Sequence, residues 1–179
     1  MANFMELAPR AQRQIIRRME PLEPPALHQA QAAYGWLELG NVEEAFAELQ
    51  RLPEELQSLP AVQAVRLDCL MAAKDWNEAV KLAQVLCGQW TEEPGLWLHH
   101  AYAARRCAGG SIEAAYELLA PCVERFPEEW LIPYNVACYL CQMERLDEAR
   151  AMLEMARAKG GERVDAMAKD DEDLAPLNL

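Results

Sequence analysis

Apolar residues recur three and four positions apart along most of the chain, and short polar or glycine-containing turns interrupt them at regular intervals. That spacing predicts amphipathic helices rather than strands. Four segments align with one another: Val42-Glu43-Glu44-Ala45, Trp76-Asn77-Glu78-Ala79, Ile112-Glu113-Ala114-Ala115 and Leu146-Asp147-Glu148-Ala149. Their alanines lie 34, 36 and 34 residues apart. A turn precedes each: Gly40-Asn41, Lys74-Asp75, Gly109-Gly110-Ser111 and Glu144-Arg145. Acidic residues in the first helical turn favour the positive end of the helix dipole, so each segment reads as the start of a second helix. Another apolar-periodic stretch, rich in Ala, Leu and aromatics, lies upstream of every turn, and each copy therefore reads as helix–turn–helix. The surplus of two residues in the third copy fits Ala108-Gly109-Gly110, where a surface turn tolerates insertion.

With these four copies the sequence resembles the tetratricopeptide repeat family, whose period is 34 residues. The resemblance covers residues 26 to 159, divided as 26–59, 60–93, 94–129 and 130–159. The family's small residue in the first helix falls on Ala33, Ala101 and Ala137, with Leu67 as the departure; that in the second helix falls on Ala45, Ala79, Ala115 and Ala149. Alanine at both places lets two helix backbones approach closely while bulkier neighbours fill the grooves. The large residue later in the first helix is Trp36, Leu70 and Leu140, with Ala104 a weaker match. The unit-closing proline is matched by Pro127 alone, since Pro60 and Pro94 open the next unit instead. The resemblance implies an all-α fold, a right-handed α-α superhelix of stacked antiparallel helix pairs, with capping segments at both ends because each unit contacts only its neighbours.

Residues 3 to 19 place Phe4, Leu7, Ile15, Ile16 and Met19 among Arg10, Arg13, Arg17 and Arg18, an amphipathic pattern interrupted at Pro9. This helix is expected to pack on the first unit or on a second copy of the chain, giving a monomer or a homodimer. Pro21, Pro24 and Pro25 then mark a stiff linker that closes the segment 1–25. At the other end, 160–179, the pattern predicts a short helix from Glu162 to Lys169, an acidic run and the apolar stretch Leu174 to Leu179. That stretch is expected to be ordered, either capping the last repeat or lying in the groove.

The chain has 179 residues, 52% of them hydrophobic, with 17 basic against 29 acidic side chains for a net charge of −12. Such a composition folds, and its charge repels nucleic acid. No run reaches the roughly eighteen apolar residues needed to span a bilayer, and no basic-then-apolar leader opens the chain, so the cytoplasm is the expected location and a membrane is not an expected partner. The six cysteines (Cys69, Cys87, Cys107, Cys122, Cys138 and Cys141) are expected as free, mostly buried thiols. Cys138 and Cys141 form a CxxC without a second pair, and the neighbouring His99 and His100 diverge by about 100° on a helix, so no metal site is expected. No phosphate-binding glycine loop, nucleophile elbow or metal-ligand helix occurs, and His28, His99 and His100 have no evident catalytic partners; no catalysis and no cofactor is expected.

The family resemblance implies a concave groove formed by the first helix of each pair. Its positions fall on Leu27, Ala30, Gln31, Tyr34 and Glu38 in the first unit and on Ala64, Val65, Asp68 and Met71 in the second. The third supplies Leu98, His99, Tyr102, Arg105 and Arg106, and the fourth Tyr134, Asn135, Cys138, Cys141 and Gln142. Tyrosine beside arginine is a composition expected of binding hot spots, although the tyrosines also suit packing between units and the arginines also suit pairing with acidic neighbours. The carboxylate clamp of the family's chaperone-binding branch is absent, because its positions carry Ala30, Tyr34, Val65, Gly95 and His99. Glu43, Glu44, Glu48, Glu54 and Glu55 stand close together and would steer a basic partner, or form a solvated helix face. The expected function is a protein-interaction scaffold that holds a peptide or helical segment of a partner. A second, weaker resemblance, to the small acidic tetratricopeptide chaperones of type III secretion, implies instead a dedicated chaperone for a secreted client.

Overall fold

The computed structural model describes residues 22–178. The amphipathic pattern over residues 3–19 and Pro21 of the linker lie outside them, whereas Pro24 and Pro25 lie within. Every regular element among the described residues is helical. In chain order they are α1 (Ala26–Glu38), α2 (Val42–Gln50), α3 (Glu54–Gln57), α4 (Pro60–Ala72), α5 (Trp76–Gln89), α6 (Pro94–Ala104), α7 (Ile112–Leu119), α8 (Cys122–Arg125), α9 (Leu131–Gln142), α10 (Leu146–Gly160), α11 (Glu162–Ala168) and a 3-10 helix at Glu172–Leu177. Two compact units result, with the boundary inside α6: their described parts are residues 22–99 and 100–178.

The turn chemistry accounts for where the second helices begin. Gly40, Lys74, Gly109 and Glu144 all take positive φ, between 58° and 76°, and so turn the chain out of the preceding helix. Lys74 and Glu144 adopt that left-handed conformation at a steric cost that glycine avoids. Asn41, Asp75 and Ser111 then accept hydrogen bonds from the backbone N–H groups of Glu44, Glu78 and Ala114, satisfying donors that the helix itself leaves open. Arg145, at the same place in the fourth copy, has no capping side chain and instead grips Glu148 through two N–H···O bonds of 2.7 and 2.6 Å. Alanine at position 41, 75 or 111 is therefore expected to cost about 1 kcal/mol of unfolding free energy in each case, read from urea titrations. Arg145 also stacks over the Tyr116 ring at 4.9 Å, so Arg145→Ala removes a cation–π contact together with the exposed ion pair.

In the first unit α1 packs against α2 and α4, α2 against α4, and α4 against α5. Its core joins Ala30, Ala33, Ala45, Leu49, Val62 and Val65, with Trp36, Phe46 and Trp90 packed against it. In the second unit α9 is central: it packs against α10, α7 and the 3-10 helix, while α10 also meets α11. Ala45, Ala79, Ala115 and Ala149 have no exposed surface, and neither do Ala33, Ala101 and Ala137. Leu67, the larger residue at that place in α4, is equally enclosed, so its neighbours accommodate the extra bulk.

Two short helices complicate the simple pair pattern. After α2 the chain turns at Arg51–Leu52 and restarts as α3 behind Pro53; after α7 it breaks at Ala120-Pro121 and restarts as α8. Pro121 lacks the N–H that would have continued the ladder of α7. Pro127 follows the end of α8, and a tight turn leads into α9 at Leu131.

Candidate functional site

Three of the residues assigned to a groove in the first unit meet one another. Tyr34 is on α1, Asp68 on α4 and His99 on α6, and all three are buried, at 7%, 6% and 2% exposure. The Tyr34 hydroxyl donates to Asp68 Oδ2 at 2.7 Å, and His99 Nε2 lies 3.3 Å from Asp68 Oδ1. His99 Nδ1 lies 2.6 Å from the carbonyl oxygen of Gly95, one helical turn back. Both ring nitrogens thus face acceptors; an imidazolium donates to both at once, whereas a neutral ring donates to one. A carboxylate shared by a hydroxyl and an imidazole, each from a different helix, holds three helices in register through directional bonds in a dry core. Of the other groove positions here, Met71 is buried, and Gln31 and Glu38 are exposed. The cluster therefore ties the unit together, and the exposed polar side chains beside it are Gln31 and Glu38.

A different arrangement gathers the remaining residues in the second unit. Tyr102 lies on α6 and Arg105 and Arg106 follow its end, while Tyr134, Asn135 and Gln142 lie along α9. The guanidinium of Arg106 stacks over the Tyr102 ring at 3.5 Å and donates to the Tyr102 carbonyl at 3.1 Å. Asn135 donates back to the Leu131 carbonyl on its own helix at 2.8 Å. Arg105, Tyr134 and Gln142 reach instead to the segment that follows α11. Arg105 grips Asp173 with both terminal nitrogens, at 2.8 and 3.2 Å, and the two side chains are each only 15% exposed. The Tyr134 hydroxyl donates to Asp171 Oδ2 at 2.9 Å, the Cys138 thiol lies 3.7 Å from the same oxygen, and Gln142 donates to the Asp173 carbonyl at 3.3 Å. Beyond these carboxylates, Leu174 and Leu177 are each 1% exposed.

The chain's own segment 171–177 therefore covers the face of α9. The closing stretch was expected either to cap the last repeat or to lie in the groove; its side chains bond residues assigned to the groove and bury its two leucines. The small space left between face and segment, about 20 Å³ and lined by Arg105, Tyr134, Cys138 and Asp171 among others, holds no more than a water. In the sequence, Asp171 and Asp173 stand out only as part of an acidic run. Tyr139, which lies 5.9 Å beneath the Arg105 guanidinium, had no role assigned.

Burial and ion pairing set the electrostatics of these side chains. The hydrogen bond and charge of Asp173 hold the Arg105 guanidinium firmly protonated, whereas burial pulls Arg106 down from its usual value. Burial, reinforced by the neighbouring carboxylates, pushes the Cys138 thiol well up, and burial lifts Cys141 to about 11 and Cys122 to about 11. Thiols so placed are poor nucleophiles. All six cysteines are free. His100, whose pKa burial lowers, has an Nδ1 with no hydrogen-bond partner. Among the described residues no group of three or more His, Cys, Asp or Glu side chains is arranged to hold a metal ion, and no helix is long and apolar enough to cross a membrane. No family profile matches this chain, and no curated protein is similar to it in sequence.

Proposed function

We propose that this protein is a tetratricopeptide-like interaction scaffold of the cytoplasm, whose helix pairs stack as a superhelix and whose first helices hold a peptide or helical segment of a protein partner, with no chemistry of its own. The observation that carries the reading is the engagement of Arg105, Tyr134 and Gln142 with a short non-α-helical segment, through one bidentate ion pair, a tyrosine hydroxyl, an amide and two buried leucines. That is the way an interface recognises a peptide: a few directional anchors beside apolar pockets. The repeated turn, cap and alanine positions support the scaffold around it.

Selection of displayed peptides on the full chain tests the proposal. Selected peptides are expected to bind with micromolar dissociation constants and to slow amide exchange along α6 and α9. Failure to select any peptide, or a footprint confined to α5 and α10, would overturn it.

A further inference from the structure

We infer that the α9 face of the second unit is specific for an acidic–apolar segment of a protein partner, with two carboxylates two residues apart and leucines one and four positions beyond the second, and that residues 171–177 occupy it as an internal stand-in. The inference rests on the peptide-binding reading above and names the class of peptide.

The spacing comes from what the face does to Asp171-Glu172-Asp173-Leu174-Ala175-Pro176-Leu177. Asp171 and Asp173 point at the face and find a tyrosine hydroxyl and a guanidinium. Glu172 between them is exposed, as are Ala175 and Pro176, so four positions of seven carry the recognition. A bidentate guanidinium–carboxylate pair has a geometry that neither an amide nor a lysine reproduces. At 15% exposure, the Arg105 side chain would be left as an uncompensated charge by any occupant lacking a carboxylate there. Leu174 and Leu177 are each 1% exposed, so an occupant needs apolar residues at both positions.

The segment's hold comes from these side chains more than from its own backbone. It is a single 3-10 stretch with Pro176 inside it, joined to α11 through a turn whose Asp171 N–H reaches the Ala168 carbonyl only at 3.4 Å. A 3-10 stretch of this length is weak by itself. A partner segment with the same four side chains makes the same contacts, and it competes against an internal ligand whose tether gives it a high effective concentration.

The test uses the full chain and a fluorescein-labelled peptide with the sequence of residues 169–178. In the variant Asp171→Asn/Asp173→Asn/Leu174→Ala the internal segment loses its anchors while the face keeps its own. Anisotropy titration is expected to show the peptide binding this variant at least about tenfold more tightly than the wild-type chain. Adding Arg105→Gln is expected to remove that gain, and a peptide with Asn at the two aspartate positions is expected to bind neither chain. Equal binding to both chains, no binding to the variant, or binding indifferent to Arg105 would overturn the inference. Should the triple variant unfold in circular dichroism, the wild-type chain carries the test: excess peptide is expected to speed amide exchange at 172–178, and unchanged exchange would overturn the inference. A concentration-dependent dimer that trades this segment between chains would also overturn it, since the occupant would then be a second copy. Displayed peptides that bind the same face without the carboxylate pair would overturn this inference alone and leave the peptide-binding reading standing.

Discussion

Replacement of Asp68 by alanine is expected to lower the unfolding free energy by about 3 kcal/mol, because it removes the one carboxylate that two buried groups share. The Tyr34 hydroxyl loses its acceptor at 2.7 Å and His99 Nε2 loses the carboxylate at 3.3 Å, with all three side chains almost wholly shielded from solvent. Tyr34→Phe removes a hydroxyl whose acceptor keeps the imidazole as a partner, and about 1 kcal/mol is expected. Both single variants break the same Tyr34–Asp68 bond, so the loss in the double variant is expected to fall short of the sum of the two single losses. Urea midpoints at constant slope read all three values. Additive losses would mean that Tyr34 and Asp68 do not share a bond in solution, and an Asp68→Ala loss below that of Tyr34→Phe would contradict the cluster as described.

The second large effect is expected at Leu174. Its side chain is 1% exposed, and truncation to alanine in a site of that kind costs about 2 to 3 kcal/mol. The loss is expected to appear first as release of the segment, because the 3-10 helix has little internal support and Leu174 stands next to the Asp173–Arg105 pair. With the segment released, Tyr134, Cys138 and Leu177 regain water, and α9 loses one of the elements packed on it. Leu174→Met, which keeps volume and apolarity, is expected to cost less than half as much.

Much of the helical organisation was legible in the sequence because it rests on local chemistry. Each second helix begins at the residue marked by its turn, Val42, Trp76, Ile112 or Leu146, and the first helices begin at Ala26, Pro60, Pro94 and Leu131. A polar cap followed by an acidic first turn acts within four residues, so a single sequence carries it in full. The short helices α3 and α8 have no counterpart in the sequence pattern, since nothing local says that a new turn of helix starts behind Pro53 or Pro121.

The contacts that decide the site were legible only in kind. Tyr34, Asp68, Tyr102 and Arg105 were all assigned to one face by their repeat positions, with packing and ion pairing as the alternative. The structure brings Tyr34, Asp68 and His99 to each other and Arg105 to Asp173, 68 residues further along. Which acidic residue an arginine meets depends on how helices dock, and periodicity has no signal for a partner at that separation. The apolar closing stretch did carry a signal, since Leu174 and Leu177 are costly to leave in water. Its acidic neighbours looked like solubilising charge, and only their juxtaposition with Arg105 and Tyr134 gives them a role.

Hydrogen–deuterium exchange on the wild-type chain, comparing the amides of residues 172–178 with those of α9, addresses the occupied face most directly. Protection is expected in both stretches, with the Leu174 amide held by the Asp171 carbonyl at 3.0 Å and the Asn178 amide by that of Ala175 at 3.1 Å. Leu174→Ala is expected to speed exchange at 172–178 at least about tenfold while the core of α9 stays protected. Exchange at 172–178 as fast as in an unstructured peptide, in the wild-type chain, would contradict the docked segment and with it the peptide-holding face.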